Sequence, residues 1–173
     1  MKQFIFPTIF ILFTISAFSQ TEHLKIAWPE EYKWKVYLNQ DNDTTHLTQI
    51  LPEKEDFKTW TISGSTMSVK YLKITSTHQV VQSMTESSLS ESPKAKLTVL
   101  EKNDSTKNIW ILFKIETPDF PNDPIPESQL YYVIQGEQTL YMNFIALREA
   151  ILSNDFIEKW TKVFKSSKLV YQK

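Results

Sequence analysis

Few side chains in this sequence are of the types that do chemistry, and their spacing serves few reactions. The histidines are His23, His46 and His78, with no HExxH pair and no other metal-ligand spacing. Cysteine is absent, which excludes thiol nucleophiles, cysteine-ligated zinc and disulfides. Serine is plentiful, but Gly64-Ser65 lacks the G-x-S-x-G form of a nucleophile elbow. Asp119 and Asp123, in TPDFPNDPIPES, offer oxygen ligands for a hard cation at a spacing unlike the twelve-residue calcium loop. A carboxylate pair for glycoside hydrolysis needs only closeness in space, and nothing marks one. Arg148 is the sole arginine. Its planar fork suits a carboxylate or phosphate, or an ion pair with Glu149. No catalytic residue, metal ligand or cofactor is assigned on these grounds.

The remaining candidates are aromatic. LYYVIQGEQTLYMNF, residues 130–144, holds one of the chain's two glycines between two strand-like runs. Gly136-Glu137 reads as a type II′ turn, with Gly136 at positive φ. That register sets Tyr132 opposite Tyr141 and Tyr131 opposite Met142. One face then carries Tyr131, Val133, Leu140, Met142 and Phe144; the other carries Tyr132, Ile134, Tyr141 and Asn143. The first face is expected to receive the helix around Trp160. The tyrosine face is either core or the lining of a groove. The candidate binding surface is therefore Tyr132 and Tyr141, with Arg148, Asp119 and Asp123.

Several elements must position these residues. YKWKVYLN alternates with the strand period, with Trp34, Val36 and Leu38 on one side, and HLTQIL follows as its hairpin partner with Leu47, Gln49 and Leu51 on one face. PEKEDFKTW reads as one helical turn or the lead into a brief strand at 59–62. Gly64 and its Ser and Thr neighbours read as a loop. Ser76-Thr77-His78-Gln79 has the capping-box form and opens a helix over 77–90, stopped before Pro93. AKLTVLE is a strand, and NIWILFKIE is a strand covered on both faces. Four prolines make 117–128 a loop. A helix over 154–166 puts Phe156, Ile157, Trp160, Val163 and Phe164 on one stripe. A last short strand follows at 168–171. His23 falls in an N-terminal tail.

The chain has 173 residues, 41% hydrophobic and 23% charged, enough for one core. A net charge of −1 without basic clustering gives no footprint for nucleic acid. MKQFIFPTIFILFTISAFSQ joins Lys2 to an apolar run ending in Ala17-Phe18-Ser19. This reads as a signal peptide over 1–19, leaving a single α+β domain over 20–173. A membrane anchor is disfavoured, since the run falls short of the ~20 residues a spanning helix needs. An exported chain without disulfides fits a bacterial envelope, periplasmic or secreted.

Two segments, HLTQILPEKEDFKTWT and YYVIQGEQTLYMNFIALRE with DFIEKWTKVFKSSKLV, resemble a group of exported bacterial proteins of unknown function. Their order of elements is similar to the α/β/α sandwich of the PsbP subunit and the Mog-type Ran-binding protein. The resemblance implies an antiparallel sheet with helices packed on its faces and a binding or accessory role; it transfers no site residue. The expected function is an exported, non-enzymatic binding or accessory protein of the bacterial envelope, with a protein or small-molecule partner. A small hydrolase with a spatially assembled carboxylate or serine site, and an immunity-type inhibitor of a secreted toxin, are the alternatives. Binding calls for an aromatic patch or groove beside the proline-rich loop. An enzyme calls for a deep pocket of clustered titratable groups.

Overall fold

Apolar residues at period two dominate the second half of the chain, and the strands they form set the architecture. The computed structural model describes residues 21–121 and 123–172. The segment read as a signal peptide lies outside them. In chain order the elements are β1 (Thr21–Lys25), β2 (Trp34–Asp41), β3 (Thr45–Pro52), β4 (Ile62–Lys70), α1 (Thr77–Glu91) and β5 (Lys96–Asn103). They continue with β6 (Trp110–Thr117), β7 (Glu127–Gln135), β8 (Thr139–Leu147), α2 (Asn154–Lys165) and β9 (Lys168–Gln172). Strands β2 to β8 form one antiparallel sheet in the order β2-β3-β4-β8-β7-β6-β5, and β1 pairs with β9 in a separate two-stranded sheet. His23 therefore sits in a strand, opposite Val170, rather than in a tail.

The expected PsbP-like α/β/α sandwich is corrected by this count. The described residues are 47% strand and 20% helix, with two α-helices, so the fold is a β-rich sheet. The physical reason is area. Seven strands at ~4.8 Å spacing span about 29 Å, and one helix covers about 10 Å of that. Two helices therefore do not make layers over this sheet. The sequence reading also undercounted strands, since ISGSTMSVK is β4 in the middle of the sheet rather than a loop.

One side of the sheet meets α2. Trp160 and Phe164 are wholly buried against Leu112, Leu130, Tyr132 and Ile145. Trp28, Tyr32 and Trp34 complete an aromatic shell, with ring centroids 5.8, 5.8 and 6.3 Å from Trp160. Gly64 is needed here, because an added Cβ would lie 2.7 Å from the Trp28 ring and 2.8 Å from Ile50. The other side meets α1, where Val80 packs with Ile111, Phe113, Tyr131, Val133 and Leu140. The expected helix assignment is thus reversed: Trp160 lies on the Tyr132 face, and the Tyr131 face receives α1. Both faces of the hairpin are apolar, so the pattern gave no means of matching helix to face.

The hairpin register also differs. Tyr132 pairs with Asn143 and Tyr141 with Ile134, a slip of two residues that keeps each side chain on its expected face. The Gly136 N–H donates to the Thr139 carbonyl at 2.8 Å, so Glu137 and Gln138 are the central turn residues. No glycine has positive φ. The buried Gln135 amide holds this turn, donating to the Gly136 and Thr139 carbonyls at 3.0 and 3.2 Å. Gly136 is required for another reason: the Glu22 carboxylate rests where its Cβ would stand, 1.9 Å away. From there Glu22 accepts from the Glu137 N–H at 2.8 Å and the Tyr171 hydroxyl at 3.2 Å. Gly136→Ala should cost about 1–3 kcal/mol by overpacking and lower the amide-exchange protection of β1. In a Glu22→Ala background the cost should vanish; a cost that persists would place the strain elsewhere.

A second expectation about capping changes as well. The Ser76 side chain makes no cap bond. Asp104, on the β5–β6 turn, takes that role, accepting from the Thr77 N–H at 2.7 Å and its hydroxyl at 2.9 Å. Those bonds, the backbone one foremost, hold the Asp104 carboxyl below its ordinary value. At α2 the Ser153 hydroxyl accepts from the Phe156 N–H at 3.2 Å, the ordinary N-cap geometry.

Candidate functional site

Helix α1 lies over β5 and β6, and the sheet beside it stays open. There Leu72, Ile74, Val80, Met84, Leu140 and Met142 line a groove of about 260 Å³. Val133 forms part of its floor. The strand period puts Tyr131, Val133, Leu140, Met142 and Phe144 on this face, so the groove exists because one helix leaves part of an apolar sheet face uncovered. Leu72, which follows β4, is exposed at its mouth.

Further along the same face the character becomes polar. Met84 also borders a second cavity, of about 220 Å³, with Ser88, Glu91, Phe120, Gln129 and Tyr131. Tyr131 stacks on Phe113 at 4.9 Å, and its hydroxyl donates to Gln129. The Gln129 amide in turn donates to Glu127. Burial raises the Glu127 carboxyl above its ordinary value, while the Gln129 bond and the Arg148 charge pull the other way. Burial also drives the Tyr131 phenol far above its ordinary value, assisted by the charges of Glu127 and Glu91. Phe120 brings the proline-rich loop to this second cavity, whereas no residue of that loop lines the apolar groove.

The expected binding residues do not converge. Arg148 stands beside this polar end. Its guanidinium lies 4.8 Å from the Trp60 ring centroid, and Nη1 donates to the Lys58 carbonyl at 3.0 Å. Asp119 is tied to Lys94 at 2.7 Å. Asp123 accepts from the Ile125 N–H at 2.9 Å, holding its own turn. Tyr132 is on the opposite side, buried under α2 and stacked on Phe164 at 6.1 Å. Tyr141 is on that side too, at the other end of the strands, its hydroxyl donating to the Glu22 carbonyl at 2.8 Å. Among the described residues no group of three His, Asp or Glu side chains can hold a metal ion.

Sequence reasoning missed Glu127, Gln129 and Glu22. The first two left a signal, since they are polar residues at period two with the apolar Tyr131 and Val133 on one face of β7. Glu22 left none, because its role depends on a partner 115 residues away. The chain matches no protein-family model and none of the curated proteins.

Proposed function

We propose that the chain is an exported, non-enzymatic binding or accessory protein of the bacterial envelope, periplasmic or secreted, that holds an apolar segment of its partner beside α1. The observation that carries this reading is the open, largely apolar groove between α1 and strands β7 and β8. Its size is near the lower end of small-molecule sites, roughly 300–1,000 Å³, and its side chains offer burial and shape rather than acid–base chemistry. The signal-like segment before Gln20 supports the compartment.

A benzophenone amino acid placed at Leu72 tests it in the living cell. It should crosslink one species in the envelope fraction, whereas the same probe at the distant exposed residue Val36 should not. Leu72→Asp should reduce capture at least tenfold, equivalent to about 1.4 kcal/mol, without lowering Tm. Equal crosslinking at both positions, or none at Leu72, overturns the reading. Intact mass and N-terminal sequencing of the native protein check export, for which a chain beginning at Gln20 is the expected result.

A further inference from the structure

The side of the sheet that carries α2 changes character along β4 and β8. At the α2 end the cross-strand pairs on this face are Ile62–Leu147 and Gly64–Ile145, part of the buried core. The next three pairs on the same face are Thr66–Asn143, Ser68–Tyr141 and Lys70–Thr139. All six residues carry a polar group. A polar row of this kind normally marks a solvated face, yet this one is roofed by β1. Between roof and floor lies a cleft of about 390 Å³, with Glu22 and Leu24 above and Asp41 and His46 at its rim.

The polar row is not consumed by the fold. Asn143 is 1% exposed and lines the cleft. Its side chain makes one hydrogen bond, Nδ2 to the Tyr132 carbonyl at 3.3 Å. The carboxamide oxygen has no partner among the described residues. Glu22 Oε1, on the roof strand, is buried and unpartnered, and it lies against Gly136. Buried polar atoms without partners are scarce in folded proteins, and each calls for a reason. Six polar residues in a row, under a roof and partly unpaired, break the pattern that packing alone would select.

We propose that this cleft is a second binding site, independent of the groove beside α1, for a neutral polyhydroxylated ligand, a saccharide. The donor and acceptor inventory carries the chemistry. Hydroxyls of Thr66, Ser68 and Thr139 and the amide of Asn143 both donate and accept. The Asp41 carboxylate accepts and Lys70 donates, while the Glu22 carboxylate stays on the Glu137 N–H and the Tyr171 hydroxyl. Sugar hydroxyls, themselves donors and acceptors, satisfy such a mixed set. An anionic ligand meets two carboxylates against one ammonium. A metal ion finds no three-ligand group among the described residues. The volume falls within the range of small-molecule sites, roughly 300–1,000 Å³.

The test is an NMR titration of the full exported chain with glucose, N-acetylglucosamine, cellobiose and chitobiose, each taken to about 10 mM, where a millimolar Kd saturates. At least one sugar should shift the Thr66, Ser68, Thr139 and Asn143 amides saturably while leaving Ile74 and Val80 in place. Thr66→Val keeps the shape of the side chain, and Ser68→Ala changes a half-buried hydroxyl; either should weaken binding about tenfold, or 1.4 kcal/mol, with an otherwise unchanged spectrum. No saturable shift with any of the four sugars overturns the proposal. So do shifts that both variants leave unaltered, or shifts given by inorganic phosphate or zinc instead. Shifts confined to Ile74 and Val80 belong to the groove and also overturn it.

Discussion

Trp160→Ala should remove about 3–5 kcal/mol of folding stability, the largest loss expected from any single change in α2. The side chain is 0% exposed and lies within 6.3 Å, centroid to centroid, of Trp28, Tyr32, Trp34, Phe156 and Phe164. Deleting the indole opens a cavity among rings that cannot all collapse into it. Helix α2 has 12 residues, a length that is marginal in isolation, so its folding depends on this contact. Trp160→Phe should lose less than the change in area alone implies. The indole Nε1 is buried without a partner, and an orphan donor carries a desolvation cost of about 1–3 kcal/mol that phenylalanine removes. Urea unfolding of both variants measures the difference. A Trp160→Ala loss below about 1 kcal/mol would show that the site relaxes or is wet.

How much of this was legible in the sequence depends on what each feature needs. The helices were legible because a stripe at helical spacing and a stop before Pro93 are local signals; α1 and α2 run as Thr77–Glu91 and Asn154–Lys165. NIWILFKIE was legible for the same reason, and its strand is buried on both faces. Strand β4 was not. Its polar side chains mimic a loop, yet Thr66, Ser68 and Lys70 are polar because they floor a cleft, while Ile62 and Gly64 on the same face meet the core. In β2, a bulge between Val36 and Leu38 shifts the register, so the expected single stripe of Trp34, Val36 and Leu38 does not form. The register of the β7–β8 hairpin was illegible because a slip of two residues leaves every side chain on its own face. What decided it was Gln135, whose amide bonds the turn and whose Oε1 accepts from the Ile74 N–H at 2.9 Å. The Asp104 cap and the Glu22 contact join residues far apart in the chain, and neither left a pattern at the level of single segments.

The candidate surface was legible only in part. Aromatics do lie beside the proline-rich loop, but the residue that borders the cavity is Tyr131, not Tyr132. Arg148 stands beside the same end, committed to Trp60 and the Lys58 carbonyl. Parity along β7 separates the two tyrosines: neighbours on a strand face opposite sides, and α1 rather than α2 took the Tyr131 side.

Tyr132→Ala is the second large expected effect, and it decides between core and groove. Tyr132 is 5% exposed, stacked on Phe164 and tilted against Trp110 at 6.0 Å. Its removal should cost about 3–5 kcal/mol, with any loss of partner capture following the loss of folded protein rather than preceding it. Tyr132→Phe separates the hydroxyl from the ring. The hydroxyl has no hydrogen-bond partner among the described residues, so at neutral pH the variant should match the parent in Tm. In alkali it should not. Burial pushes the Tyr132 phenol up to about 12 from an ordinary value of 10.0. Below about pH 10 the group is neutral in both folded and unfolded chains, and its contribution is fully present. Between about 10 and 12 the unfolded chain releases its proton first, so that contribution is lost as pH rises. Tyr131 and Tyr141 are raised as well, chiefly by burial, and act in the same direction. The parent should therefore lose stability above pH 10, and Tyr132→Phe should lose it less steeply. Parallel alkaline curves for the two proteins would mean that the Tyr132 hydroxyl reaches solvent. A Tyr132→Ala variant that keeps its Tm and fails to capture partner would move this residue out of the core and into a binding surface.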